Sequence, residues 1–211
     1  MEPISITIGR DYGSGGREIA RLLADTFQCR FYDNEILTLA AKESGFSEKL
    51  FEKHDERHGR LHNLLFNKVP IIGHANYYNE QLTQSSLFQF QSEVIWQEAK
   101  KGPCIFVGRG ADYVLRKKQN VINIFVYADL DFKVAKVMER EQCTADEARR
   151  IIQQKEKSRA EYYNFYTGKQ WGARQSYHLC INSATLGIPA TADIIAHFVN
   201  AHTENIDKEI I

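Results

Sequence analysis

The sequence predicts an α/β protein built on a parallel sheet with helices on both faces. Two observations carry that prediction. Short apolar runs of strand length alternate with longer segments of helical periodicity, as at Cys104–Val107 and Val121–Tyr127. Strands separated by helices in this way form parallel sheets covered on both sides. The first strand run leads straight into a glycine-rich loop and then a helix, and parallel sheets bind ligands at the carboxyl ends of their strands.

The elements follow in order. Ile4, Ser5, Ile6, Thr7 and Ile8 are β-formers or small and make the first strand. Gly9-Arg10-Asp11-Tyr12-Gly13-Ser14-Gly15-Gly16 is a loop, with three glycines in its last four residues. Ile19, Ala20, Leu22, Leu23 and Phe27 recur at helical spacing, so a helix opens near Gly16 and runs to about Phe27. Arg30-Phe31-Tyr32 is a short strand ending at Asp33, and Ile36, Leu37, Leu39 and Ala40 mark a helix that Gly45 ends. Pattern is weak over 54–79, where Leu64, Leu65, Phe66, Ile71 and Ile72 are apolar without a clear period. Residues 81–101 read as a long helix stopped by Gly102-Pro103. Cys104–Val107 is a buried strand closed by Gly108-Arg109-Gly110, and Val121 to Tyr127 is another. Asp131 to Glu141 is a helix, and Thr144-Ala145-Asp146-Glu147 is a capping box that starts the next. His178 to Ile181 is the last strand, and Pro189 opens a final helix containing Ile194, Ile195, Phe198 and Val199. The expected product is one five-stranded parallel sheet with its first strand internal.

Composition narrows the function classes. The 211 residues suit a single domain with a full core. Lys+Arg and Asp+Glu are both 27, whereas a non-specific nucleic-acid binder or polybasic membrane binder is normally basic. Any anion site must therefore be local. Cys29, Cys104, Cys143 and Cys180 show no C-x-x-C and no histidine at zinc-ligand spacing, so neither a disulfide framework nor a structural zinc is expected. MEPISITIGR lacks a basic region followed by an apolar one, and no apolar stretch approaches membrane-spanning length. The expected location is the cytoplasm, with neither nucleic acid nor membrane as partner.

A strand, a glycine-rich loop and a helix in succession form an anion site, because loop N–H groups converge on phosphate and the helix N-terminus adds about half a positive charge. Glycines at 13, 15 and 16 allow close backbone approach. The loop is P-loop-like without matching G-x-x-x-x-G-K-[ST] in either register. In one, Gly16 stands for the lysine and Arg17 for the hydroxyl residue; in the other, Arg17 stands for the lysine and Glu18 for the hydroxyl residue. Arg17 can still grip phosphate bidentately. The plainer alternative is that these glycines only let a tight strand-to-helix turn form.

Taken together, ITIGRDYGSGGREIA, FYDNEI, CIFVGRGADYVL, NIFVYADLD and LCINSATLGI resemble the cytidylate kinase-like family, a branch of the P-loop nucleoside monophosphate kinases, from residue 4 to about 199. The resemblance implies a P-loop NTPase fold: a five-stranded parallel sheet, a monophosphate-binding excursion over about 45–100 and a lid over about 140–172, all within a single domain, 1–211. It also implies ATP- and Mg²⁺-dependent phosphoryl transfer to a nucleoside monophosphate or similar small acceptor. Gly13, Ser14, Gly15, Gly16, Arg17 and Glu18 would bind the nucleotide. Asp33 matches an acidic residue near the acceptor. The arginine expected six residues later falls on Leu39, with Lys42 one turn further as substitute. Arg109 matches the arginine of a Gly-Arg-Asp motif whose aspartate falls on Gly110, leaving Asp112 as the nearest carboxylate. Arg140 and Arg159 are the lid arginines.

Phosphoryl transfer needs several cations and little covalent chemistry. Arg17, Arg109 and Arg159 are accordingly the catalytic candidates, and Asp33, Lys42, Arg109, Asp112, Arg140 and Lys155 the substrate-binding ones. Lys155 and Arg159 share a helix face, followed by Tyr162, Tyr163 and Tyr166. These rings either flank a nucleotide base or pack on the core beneath a solvated basic helix. His54, His58 and His62 recur at helical spacing, but Gly59 interrupts them and an exposed polar face suits them better than a metal site. No metal ligands are assigned. The apolar residues of 54–80 suit a partner surface or flap, a homodimer contact being one reading. The rival function is a nucleotide-binding sensor or interaction module that no longer transfers phosphate. Its motive is the missing lysine, hydroxyl and acceptor arginine.

Overall fold

The computed structural model describes residues 3–44 and 84–209. Five strands form one sheet: β1 (Ser5–Arg10), β2 (Arg30–Tyr32), β3 (Cys104–Val107), β4 (Val121–Tyr127) and β5 (Leu179–Asn182). The helices of the described residues are α1 (Gly16–Thr26), α2 (Glu35–Ser44), α3 (Gln84–Lys101), the short α4 (Ala111–Val114), α5 (Leu130–Glu141), α6 (Ala145–Thr167) and α7 (Gly187–Glu209). Strand order is β2-β3-β1-β4-β5, and every pairing is parallel. β1 is central as expected, with Ser5 level with Cys104 on one side and Val121 on the other.

Side-chain alternation divides the core between the two faces. Cys104 and Phe106 of β3 face one way, against Ile36, Leu37 and Ala40 of α2 and Leu87, Val94, Ile95 and Ala99 of α3. Ile105 and Val107 face the other way, joining Ile6, Ile8, Ile122, Ile124 and Val126 beneath Ile19 and Leu23 of α1 and Ile195 and Val199 of α7. Each fully buried isoleucine here contributes roughly 1.5–3 kcal/mol. On β1 the alternate positions Ser5 and Thr7 are polar and buried. Thr7 donates to Asn123 Oδ1 at 2.8 Å, which satisfies its hydroxyl inside the sheet. A third cluster, Val134, Val137, Ala148 and Ile152, packs α5 on α6.

The capping box forms: the Glu147 N–H donates to Thr144 Oγ1 at 3.4 Å and the Thr144 N–H to Glu147 Oε2 at 2.9 Å. The helix it opens is 23 residues long, while the sequence marked only its start. The last helix begins at Gly187, two residues before Pro189. A first-turn proline loses no intrahelical hydrogen bond, so it sits inside the helix without breaking it. The four cysteines are free. No described helix is long and apolar enough to cross a membrane. The weakly patterned stretch with His54, His58 and His62 lies outside the described residues. Helix α3, which follows that stretch, turns Leu87, Val94, Ile95 and Ala99 into the core.

Candidate functional site

The loop after β1 is held open by its own backbone and by β4. Gly13 and Gly15 have φ of 86° and 73°, and Gly15 caps α1. Only a residue without Cβ adopts these angles freely. Ser14 is fully buried, and its hydroxyl lies 3.1 Å from both Asp11 O and Val126 O. Ser183 donates to Ser14 O at 2.6 Å. The Ser14 side chain thus anchors the loop and does not line the cavity above it, so any ligand contact from Ser14 belongs to its N–H.

That cavity, about 730 Å³, opens at the carboxyl ends of the strands. Its wall includes the cations Arg10, Arg17, Arg109, Lys136, Arg140, Lys155 and Arg159 and the carboxylates Asp11, Glu18, Asp33, Asp112 and Glu139. Among the described residues, seven cations against five carboxylates make a local positive site on a chain of zero formal net charge. Arg17 Nε lies 2.7 Å from Asp33 Oδ2, and Arg10 Nη2 lies 3.8 Å from Asp33 Oδ1. Asp33, at the end of β2, therefore shares its carboxylate between two guanidinium groups.

Across the cavity, Gly108, Arg109 and Gly110 are three successive left-handed residues, with φ of 72°, 61° and 65°. A side chain in this region is uncommon outside functional sites and turns. Here it carries the buried Arg109, whose Nη2 donates to Asn34 Oδ1 at 2.8 Å. Gln91 of α3 ties the turn down, donating to Arg109 O at 3.0 Å and Tyr162 Oη at 2.7 Å. Tyr163 donates to Asp112 Oδ2 at 2.6 Å. Burial pushes the Asp112 carboxyl above its ordinary value, against the opposing effect of Tyr163 and the Tyr113 N–H. Burial and the neighbouring Asp112 also push the Tyr163 phenol up, so it stays a donor. Tyr162, Tyr163, Trp171 and Tyr177 complete this aromatic wall. Tyr166 instead stacks on Phe88 at 4.2 Å between ring centres, and burial raises its phenol to about 12.

Helices α5 and α6 rest on the loop. Lys133 of α5, nearly buried, reaches Asp11 Oδ2 at 3.1 Å and Glu156 Oε1 of α6 at 2.8 Å. Burial alone would lower the Lys133 ammonium, but the two carboxylates outweigh it and hold it above its ordinary value. Glu156 Oε1 also accepts the Tyr12 N–H at 3.3 Å. The guanidinium groups of Arg140 and Arg159 lie 4.6 Å and 5.2 Å from the Tyr12 ring centre. Arg159 Nη1 further donates to Arg10 O at 3.0 Å.

The structure therefore gathers Gly13, Gly15, Gly16, Arg17, Glu18, Asp33, Arg109, Asp112, Arg140, Lys155 and Arg159 around one cavity. Lys42 is not among them: it is exposed on α2 and does not line the cavity formed by the described residues. Its helix turns Ile36, Leu37, Ala40 and Ala41 to the core, and Lys42 falls off that face. The sequence missed Arg10, Asp11, Tyr12, Lys133 and Glu156. The position of Arg10 to Tyr12 in the glycine loop was their only signal. The donor set can be tested for a metal: the described residues hold no group of three or more His, Cys, Asp or Glu placed to bind one. Glu18, exposed on the first turn of α1 and on the cavity wall, offers one carboxylate. That suits Mg²⁺, which typically arrives on substrate phosphates and takes one or two protein carboxylates.

Comparison with known proteins agrees with this architecture. A search of curated proteins finds no match. Among solved structures, an uncharacterised protein from Eubacterium ventriosum is 25% identical, with a TM-score of 0.69 over 93% of this chain and 98% of its own. A gluconokinase from Sinorhizobium meliloti, 10% identical, has a TM-score of 0.57 over 99% and 98%. A shikimate kinase from Bacteroides thetaiotaomicron, 13% identical, has a TM-score of 0.53 over 93% and 98%. These likenesses show the fold of P-loop kinases, a five-stranded parallel sheet flanked by helices. The profile of the cytidylate kinase-like family matches residues 5–185, and with the glycine loop and the Gly108–Gly110 turn at the carboxyl ends of the strands, the chain belongs to the cytidylate kinase-like family.

Proposed function

We propose that this protein transfers the terminal phosphoryl group of ATP to a nucleoside monophosphate or similar small acceptor. The observation that carries the proposal is the cavity: a glycine loop and helix N-terminus form one wall, and guanidinium groups from four separate segments surround it. Backbone N–H groups of Gly13 to Arg17 would receive the donor phosphates. Arg17 would neutralise charge there, exchanging Asp33 for phosphate. Mg²⁺ carried by the nucleotide would neutralise phosphate charge and be held by Glu18. Arg109, Arg159, Arg140 and Lys155 would steady the transferred group, a role in which one arginine can be worth on the order of 10³-fold or more in rate. Asp33 or Asp112 would orient the acceptor, whose planar part would find the Tyr162, Tyr163, Trp171 and Tyr177 wall.

One observation favours a second reading, nucleotide binding without transfer. Arg17, the residue nearest in role to the missing lysine, is already paired with Asp33 at 2.7 Å. Calorimetry with ATP and ADP, with and without Mg²⁺, tests binding. ATP turnover with a panel of monophosphates tests transfer. Turnover with at least one acceptor supports the kinase; binding without turnover supports the sensor. Failure to bind either nucleotide overturns both.

A further inference from the structure

We propose that Lys133 is a positioning residue that fixes the lid helix to the glycine loop, so that Arg140 and Arg159 stand at the phosphate site before any ligand enters. This rests on the reading of the cavity as a phosphate site. Lys133 belongs to α5 and does not line the cavity. Its ammonium joins the first carboxylate of the loop, Asp11, to the α6 carboxylate Glu156, at 3.1 Å and 2.8 Å. These two carboxylates are 145 positions apart, and a shared buried cation is what holds them together.

The consequences run along both elements. Glu156 follows Lys155 and precedes Arg159 by three positions, so fixing Glu156 sets the height and rotation of the stretch carrying both cavity cations. From the loop side, the Tyr12 N–H shares the Glu156 oxygen. The Tyr12 ring then offers its π-face to Arg140 and Arg159, and Arg10 O accepts from Arg159. Lys133 also lies directly beneath the loop: a Cβ on Gly13 would stand 2.9 Å from the Lys133 carbonyl oxygen. One residue therefore joins α5, α6 and the loop, through its side-chain ammonium and its backbone. Without it, Asp11 and Glu156 would face each other as uncompensated, largely buried carboxylates, and the lid would separate from the loop.

A double-mutant cycle on the full chain tests this, with ADP affinity measured by calorimetry. Arg159→Ala should weaken ADP by about tenfold, and Lys133→Met by a similar factor although it touches no ligand. The decisive reading is the double variant. If Lys133 acts by placing Arg159, the double variant binds about as weakly as Lys133→Met alone. A general loss of structure would instead multiply the two factors. Lys133→Arg, which keeps the charge and can reach both carboxylates, should restore affinity to within about threefold of wild type. If Lys133→Met does not fold, Glu156→Gln replaces it in the same cycle with the same expectation. Wild-type affinity in Lys133→Met, or multiplied factors in the double variant, overturns the inference while leaving the phosphate site standing. A wild type that binds no ADP overturns both.

Discussion

Gly13→Ala separates two reasons for a glycine in the loop, with Gly168→Ala as its control. Both positions are left-handed, with φ of 86° and 66°. A Cβ at Gly168 would meet nothing within 4 Å, so alanine there suffers only the backbone penalty. That penalty is about 1–2 kcal/mol, reduced by about 0.4–1 kcal/mol because alanine also restricts the unfolded chain. The net loss at Gly168 should be about 1 kcal/mol. At Gly13 the Cβ would stand 2.9 Å from Lys133 O, 3.1 Å from Val137 Cγ2 and 3.2 Å from Lys133 Cα. Two of these belong to the α5 backbone and cannot rotate away, so overpacking adds about 1–3 kcal/mol. Gly13→Ala should therefore lose about 2–4 kcal/mol. With a urea slope of about 2 kcal/mol/M, the midpoints should fall by about 0.5 M and about 1–2 M respectively. ADP affinity should fall only at Gly13, where the loop N–H groups move. Equal midpoint losses would show that the loop yields freely from α5, and the rigid platform inferred here would be refuted.

Three further expectations follow from the same contacts. Arg17→Ala should weaken ADP binding by about 1.5–3 kcal/mol without abolishing it, since backbone donors remain; Gly15→Val should do worse, because a Cβ there already meets Ile188 Cδ1 at 2.6 Å. Full retention of affinity in both, by calorimetry, would mean the glycines serve only the turn. Tyr163→Phe removes the donor 2.6 Å from buried Asp112 and should cost about 1–3 kcal/mol in urea unfolding, with less loss when Asp112→Asn is also present. Glu98→Gln should flatten the acid side of the stability profile. Burial raises the Glu98 carboxyl, but Lys101, Tyr32 and Arg30 outweigh it and hold it below its ordinary value of 4.5. Its contribution is thus complete above that value and disappears as pH falls through the lower folded value. Acid titration of the melting temperature is the measurement, and an unchanged acid limb in Glu98→Gln would contradict it.

The sheet was legible because its signals are local. Cys104–Val107 and Val121–Tyr127 are apolar runs of strand length, and the glycine loop follows the first strand directly. Arg17 and Arg109 were legible for a similar reason, since rules for parallel sheets direct attention to the segments after each strand, whereas Arg140 and Arg159 were legible only through the family resemblance. Lys133 was not, because a lysine within a charged helix reads as a solvated residue. Its burial comes from Asp11, 122 positions earlier, and no helical periodicity reports a partner so remote. The Arg17–Asp33 pair was hidden for the same reason, although each residue was singled out separately. Lys42 lies away from the described cavity for a local reason: it falls one turn beyond Leu39, where the apolar face of α2 turns it outward.

The central place of β1 bears on how the chain reaches this structure during synthesis. Its neighbours are β3 and β4, whose matching residues Cys104 and Val121 come 99 and 116 positions after Ser5. At a synthesis rate of about 5–20 residues per second, the Ile4–Ile8 segment waits on the order of 5–20 s for its first partner strand. Neither β2 nor α1 shortens that interval, because β2 reaches β1 only through β3. Throughout that delay the nascent chain presents an apolar strand with two unpaired edges, a surface suited to a holding chaperone. Circular permutation that opens the chain between α1 and β2 places β1 after β5 in the order of synthesis, and should shorten the exposure while keeping the strand order of the finished sheet.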